Sequence, residues 1–176
     1  VYKNRYDWLE DFGIKLSSNQ CEIFDSINGV SPEQILVQGG RGSGKNYALA
    51  WSIIRYCLTG RPALVIVSAV HLQRCKYLIE LIRKICRDDA RLSDELDSEQ
   101  SSRTTITFKN GSTINRVPLN NRTNLEGLHG DLGIIYTENL VDSIYREQFL
   151  PLFRSSVNPK IVRVETTNDK QRVIKL

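Results

Sequence analysis

The sequence predicts an α/β domain, with a mainly parallel central sheet flanked by helices and an antiparallel hairpin added to it. Three observations point there. Short apolar runs at 35–38, 63–67, 132–136 and 161–164 alternate with longer segments whose apolar residues recur at helical spacing. The first two runs and the helical segments behind them form a complete strand-helix-strand-helix unit, which implies parallel strands joined by right-handed crossovers. Residues 104–108 and 112–117 alternate polar and apolar around Asn110-Gly111, a dipeptide suited to a tight hairpin turn.

In chain order, residues 1–30 read as an N-terminal helical segment of two helices. Ser17-Ser18-Asn19 can cap the second, which carries Cys21, Ile23, Phe24 and Ile27 and stops near Asn28-Gly29. Pro32 and Gly39-Gly40 bracket the first strand. A helix over 45–58 follows a glycine-rich turn and ends before Gly60 and Pro62. Beyond the second strand, Ser68-Ala69 leads into a helix over 71–86. Residues 88–103 are expected to form an acidic loop and 104–119 the hairpin. Then come a strand at 132–136, a helix at 141–153 with Ile144, Phe149, Leu152 and Phe153 inward, and a last strand at 161–164.

These elements fit a single domain over 1–176. The chain is 40% hydrophobic and 25% charged, and no uncharged apolar run approaches the roughly 20 residues of a membrane span. A chain of this length can bury enough surface to fold without a disulfide or a metal. Its four cysteines form no CxxC pair and it has only two histidines, so no zinc site is expected. Cys57 and Cys86 lie in apolar helical patterns and read as reduced core residues of a cytosol-like compartment. The start at Val1, without Met or an apolar leader, reads as a trimmed chain. The net charge of +4 does not by itself demand a polyanionic partner, but the charge is unevenly placed. Five bases face one acid over 71–87, and six acids face one base over 88–99. The basic stretch reads either as a solvated helix or as a face for a polyanion.

The informative string is Gly39-Gly40-Arg41-Gly42-Ser43-Gly44-Lys45-Asn46, between a predicted strand and a predicted helix. It reads G-x-x-x-x-G-K, the phosphate loop of nucleoside-triphosphate-binding domains, in the context that supports it. Glycines let successive N–H groups turn toward one point, the helix start adds its positive end, and Lys45 can reach the β- and γ-phosphates. ATP is the expected ligand. Asn46 stands where Ser or Thr would ligate Mg²⁺. Its carboxamide oxygen is bulkier and differently placed, so metal binding is expected to be weakened, unless the change is neutral. In such ATPases an apolar strand also ends in a metal-holding Asp followed by Glu. Leu132 to Tyr136 supplies the strand and Glu138 a candidate general base, but Thr137 occupies the Asp position and offers the metal no charge. Glu138 as an ordinary surface carboxylate is the alternative.

Four pieces in this order, Gln20, the Gly-Gly-Arg-Gly-Ser-Gly-Lys loop, the hairpin with Leu125-Glu126-Gly127-Leu128 running into the strand that ends at Glu138, and Thr166-Thr167-Asn168, span nearly the whole chain. Together they resemble the N-terminal ATPase domain of a large terminase subunit, the DNA-packaging motor of tailed bacteriophages. The loop wording is fairly specific to that family; each other piece alone is weak. The resemblance implies a P-loop NTPase fold and a role for each matching residue. Gln20 would read the adenine edge, or be a plain exposed helix residue. Arg41 would touch phosphate and offset transition-state charge, or face solvent. Thr166, Thr167 and Asn168 would sense the γ-phosphate and couple its loss to DNA gripping, or be an ordinary strand exit. Glu126 stands where many relatives have an arginine able to act on a neighbouring subunit.

The implied activity is ATP hydrolysis that drives double-stranded DNA into a capsid, in a ring of copies working with a portal and a small terminase subunit in the host cytoplasm. Arg74, Lys76, Arg83 and Lys84 are candidates for phosphate-backbone contact. Because Asn46, Thr137 and Glu126 all remove positive or metal-borne charge from the γ-phosphate, slow hydrolysis or completion by a partner is expected. A degenerate ATP-binding subunit with a structural or regulatory role stays open, as does a helicase-like DNA translocase. The family's carboxylate-rich nuclease domain is not expected within these residues.

Overall fold

The computed structural model describes residues 4–30, 34–119, 125, 127–168 and 171–176. Pro32 and Glu126, singled out above, lie outside the described residues. The chain opens with α1 (Arg5–Asp11), whose start is fixed by a reciprocal capping box between Asn4 and Asp7. Helix α2 (Ser18–Asn28) uses a second such box, Ser17 with Gln20, and buries Ile23, Phe24 and Ile27. Strand β1 (Gln34–Gly39) then enters the sheet and α3 (Lys45–Leu58) leaves the glycine-rich turn. Trp8 and Phe12 of the N-terminal segment pack on Trp51 of α3, with ring centroids 6.0 and 5.6 Å apart. Arg55 of α3 donates to Asn28 Oδ1 of α2 at 3.1 Å. The N-terminal segment thereby braces the helix that carries the loop.

Strand β2 (Leu64–Ala69) is followed by α4 (Leu72–Asp88) and α5 (Ala90–Glu95), then by β3 (Thr105–Thr107), β4 (Thr113–Pro118) and β5 (Leu132–Tyr136). Strands β6 (Lys160–Thr166) and β7 (Arg172–Lys175) close the order. The seven strands lie as β3-β4-β2-β5-β6-β1-β7. The four inner pairings are parallel, and the two edge pairings, β3 with β4 and β1 with β7, are antiparallel. An apolar cluster on one side of the sheet joins α1 to α4, and a smaller one on the other gathers around Phe149 and Phe153. The two rings press close to the sheet: a Cβ on Gly133 would stand 2.5 Å from Phe153, so only glycine fits that strand position.

Three expectations need correction. Residues 88–103 are not simply a loop. The Asp89 carboxylate caps α5 by accepting from the Arg91 N–H at 2.9 Å, and Leu92 is buried against the core. Six residues are too few to show helical periodicity among so many acids, which is why the charge run concealed the element. Residues 141–153 do not form one regular helix. Asp142–Ile144 is α-helical, Tyr145–Phe149 is a π-turn and Leu150–Phe153 a 3-10 turn. Pro151 sits in that last turn, where it has no N–H for an α-helical bond. Finally, β7 was not anticipated, because only Val173 and Ile174 of its four residues are apolar and the partner strand supplies the rest of its signal.

Among the described residues all four cysteines are free thiols, and burial pushes Cys75 and Cys86 up to about 12. No helix of the described residues is long and apolar enough to cross a membrane.

Candidate nucleotide-binding site

The site forms where the parallel strands end. β1 runs straight into the loop, and its last residues are held on both sides. Gly39 pairs with Thr166 of β6, and Gln38 accepts at 2.7 Å from Arg172 Nε of β7. The Thr167 N–H donates to the Gly39 carbonyl at 3.2 Å. Gly42 and Gly44 adopt φ of +76° and +79°, which turns the loop over the start of α3. A Cβ on Gly44 would collide with Gln20 Nε2 at 2.4 Å. Both ends of the Gln20 carboxamide are engaged under the loop, donating to the Gly44 carbonyl at 3.3 Å and accepting from the Ser17 N–H at 2.9 Å. The sequence left Gln20 as either a reader of an adenine edge or a plain helix residue; in this structure its carboxamide caps α2 and props the loop.

Lys45 is the one buried cation of the loop, with 8% of its surface exposed. Its ammonium donates to the Gly39 carbonyl, to the Gly40 carbonyl at 2.8 Å and to Ser43 Oγ at 3.3 Å. Burial lowers its pKa from the usual lysine range, the Glu138 carboxylate works against that shift, and the Arg74 guanidinium adds to it. These three groups therefore lie within one electrostatic neighbourhood. A cavity of about 700 Å³ opens there, lined by Arg41, Gly42, Lys45, Asn46, Arg74 and Thr166 together with Tyr47, Tyr77 and Tyr136. Among the described residues its lining holds three cations and no carboxylate. Asn168, exposed, does not line it.

Glu138 follows β5 in a tight turn, where the Leu140 N–H bonds the Thr137 carbonyl at 3.0 Å and Asn139 takes a φ of +58°. The carboxylate is ion-paired with Arg74 Nε at 2.7 Å, at the rim of the cavity. Arg74 thus belongs to this site, although its place in the sequence grouped it with residues facing a polyanion. Tyr136 was missed altogether. Its hydroxyl, almost fully buried, donates to Asn46 Oδ1 at 2.8 Å, and burial pushes its pKa far up, so it stays a neutral donor. The available signal was positional: Tyr136 ends a buried strand at the carboxyl side of the sheet, where such domains place ligands, and Arg74 lies in the first turn of the helix after the neighbouring strand.

The residues present do not suit Mg²⁺, which is held by carboxylates alongside phosphate and water. Asn46 Oδ1 already accepts from Tyr136, and Thr137 Oγ1 donates to the Val164 carbonyl at 3.3 Å. Glu138 is covered by Arg74. No group of three or more His, Cys, Asp or Glu side chains is placed to hold a metal among the described residues.

On the other side of α4 lies a second cavity of about 820 Å³, lined by Lys76, Glu80, Arg83, Arg87, Arg103 and Arg116. Arg83 donates to the carbonyls of Ser102 and of Thr105, the latter at 2.8 Å. Burial lowers its pKa, and the neighbouring charges of Arg87 and Arg116 lower it further. Lys76 pairs with Glu80 at 3.7 Å and Lys84 with Asp88. The four cations grouped by sequence therefore divide, with Arg74 at the loop cavity, Lys76 and Arg83 in the cleft, and Lys84 on an exposed ion pair.

The sequence matches no family model and no curated protein. Solved structures do resemble it. The ATPase domain of a Thermus phage large terminase aligns over 96% of this chain and 71% of its own, with a TM-score of 0.71 at 14% identity. The HK97 bacteriophage large terminase aligns over 88% of this chain with a TM-score of 0.69 at 15% identity. The fold is that of a large-terminase ATPase domain. A large terminase from a thermophilic bacteriophage, in complex with ATP-gamma-S, is also similar, with a TM-score of 0.58 at 14% identity over 85% of this chain and 38% of that one. The chain spans about a third of the length of the HK97 large terminase it matches. In the terminase-like fold seen here, the loop at 39–46 and the turn carrying Glu138 stand at the carboxyl ends of parallel strands in one sheet.

Proposed function

We propose that the chain is the ATP-driven motor domain of a terminase-like genome-packaging protein, acting on double-stranded DNA in the host cytoplasm. The observation that carries this is the loop itself: buried Lys45 ringed by the Gly39 and Gly40 carbonyls at the mouth of a cation-lined cavity. An incoming triphosphate offers Lys45 better acceptors than two neutral carbonyls, and the loop N–H groups with the start of α3 add fixed positive ends. Arg41 would contact the outer phosphates, and Glu138, once free of Arg74, would accept the proton of the attacking water. Thr166, on the strand hydrogen-bonded to β1, and Thr167, whose N–H donates to the Gly39 carbonyl, stand where loss of a phosphate would be felt first. DNA would lie on the cleft of Lys76, Arg83, Arg87, Arg103 and Arg116, held through its phosphates without regard to sequence. A ring of copies, a portal and a small terminase subunit are the partners this reading implies.

One observation favours a second reading. Asn46, whose Oδ1 accepts from Tyr136, replaces the metal-binding hydroxyl of the loop, and no carboxylate lines the cavity among the described residues, which suits a nucleotide-responsive subunit of low turnover. Turnover of ATP with and without duplex DNA decides between them. DNA-stimulated phosphate release that disappears in Lys45→Ala supports the motor. Tight ATP-gamma-S binding without turnover of ATP supports the second reading, and absence of any nucleotide binding overturns both.

A further inference from the structure

The loop cavity presents three side-chain cations, Arg41, Lys45 and Arg74. We propose that this site binds nucleoside triphosphate without requiring a divalent cation, the Arg74 guanidinium standing in for the metal's charge. The inference rests on the nucleotide-binding reading above and deepens it.

Arg74 engages Glu138 through Nε alone, at 2.7 Å, and its two terminal nitrogens have no hydrogen-bond partner among the described residues. A guanidinium so held keeps most of its donor fork available for a phosphate. It lines the same cavity as Arg41 and Lys45, and the pair is partly exposed, 40% for Arg74 and 30% for Glu138, so the ligand can reach it. The oxygen donors nearest the loop carry no charge, and no carboxylate lines the cavity among the described residues: Asn46 Oδ1 accepts from Tyr136, and Thr137 donates to the Val164 carbonyl. Two acceptors then compete for one cation. Arg74 rests on Glu138 here; a triphosphate, with its denser negative charge, draws the guanidinium over and releases the carboxylate. Ligand binding and exposure of the base become a single event.

The test is calorimetric titration of the protein with ATP-gamma-S, once in excess EDTA and once in Mg²⁺, at equal ionic strength. The expected result is dissociation constants within about threefold of each other, with Arg74→Ala weakening binding about tenfold or more in EDTA and Arg74→Lys recovering part of the loss. Asn46→Thr combined with Thr137→Asp is expected to make binding depend on Mg²⁺. Weakening by about tenfold or more in EDTA for the unaltered protein overturns the inference while leaving nucleotide binding intact. Equal binding in both buffers with no effect of Arg74→Ala overturns the role of Arg74. No binding in either buffer overturns the nucleotide reading itself. The comparison on the unaltered protein stands even if a variant fails to fold.

Discussion

Helix α4 separates two groups of cations that are built differently. At the loop cavity Lys45 is buried within backbone carbonyls and Arg74 is matched to one carboxylate, so each charge has a fixed position. In the cleft Arg87, Arg103 and Arg116 have no carboxylate at salt-bridge distance among the described residues, and the charges around Arg83 repel one another. A cradle with defined donors suits one compact anion. An array of long guanidinium groups without carboxylate partners suits an extended polyanion whose phosphates can be met in several ways.

The difference is most sharply broken at Lys45. Lys45→Ala removes the central cation of the cradle and is expected to weaken ATP-gamma-S binding by about 10² or more, while duplex DNA binding through the cleft is unchanged; titrating each ligand separately checks this. Replacing Arg87, Arg103 and Arg116 together with Gln should do the reverse. The slope of log affinity for duplex DNA against log salt should become shallower by about one for each phosphate no longer neutralised, with nucleotide affinity retained, as fluorescence anisotropy across a salt series would show.

A smaller effect probes rigidity on the cradle side. Tyr136→Phe leaves Asn46 Oδ1 without its donor and is expected to cost about 1 kcal/mol of stability, read by urea unfolding. The smallest separates the two cation types by pH. Burial lowers the Lys45 pKa, so its charged, phosphate-binding form is complete on the acid side and is lost as pH rises through a value below the ordinary lysine range. When each ligand is titrated from neutral into alkaline pH, nucleotide affinity should decline before the ordinary lysine range is reached, whereas the arginine-lined cleft should keep its DNA affinity.

Most of the sheet was legible because buried parallel strands are short, apolar and bounded by turns. The loop was legible because its glycines and Lys45 must be adjacent in sequence to be adjacent in space. What could not be read were pairings between distant segments. Glu138 was visible as an acid after a strand, yet the partner that neutralises it is 64 positions away. Asn46 was visible as a departure, but Tyr136, 90 positions on, is what turns it from a weak ligand into a structural acceptor. Gln20 had the right chemistry for a base edge, and only the fold shows both ends of its carboxamide engaged on the protein.

The sequence by itself therefore determined the alternation of the inner parallel strands with helices, the phosphate loop and the absence of a hydroxyl at position 46 and of a carboxylate at position 137, because local spacing and residue chemistry suffice for these. The tertiary structure alone decided which charges meet. It placed Arg74 on Glu138, tied Asn46 to Tyr136 and gathered five bases into one cleft, because ion pairs and hydrogen bonds depend on distances of a few ångströms between strands and helices whose packing no linear spacing encodes.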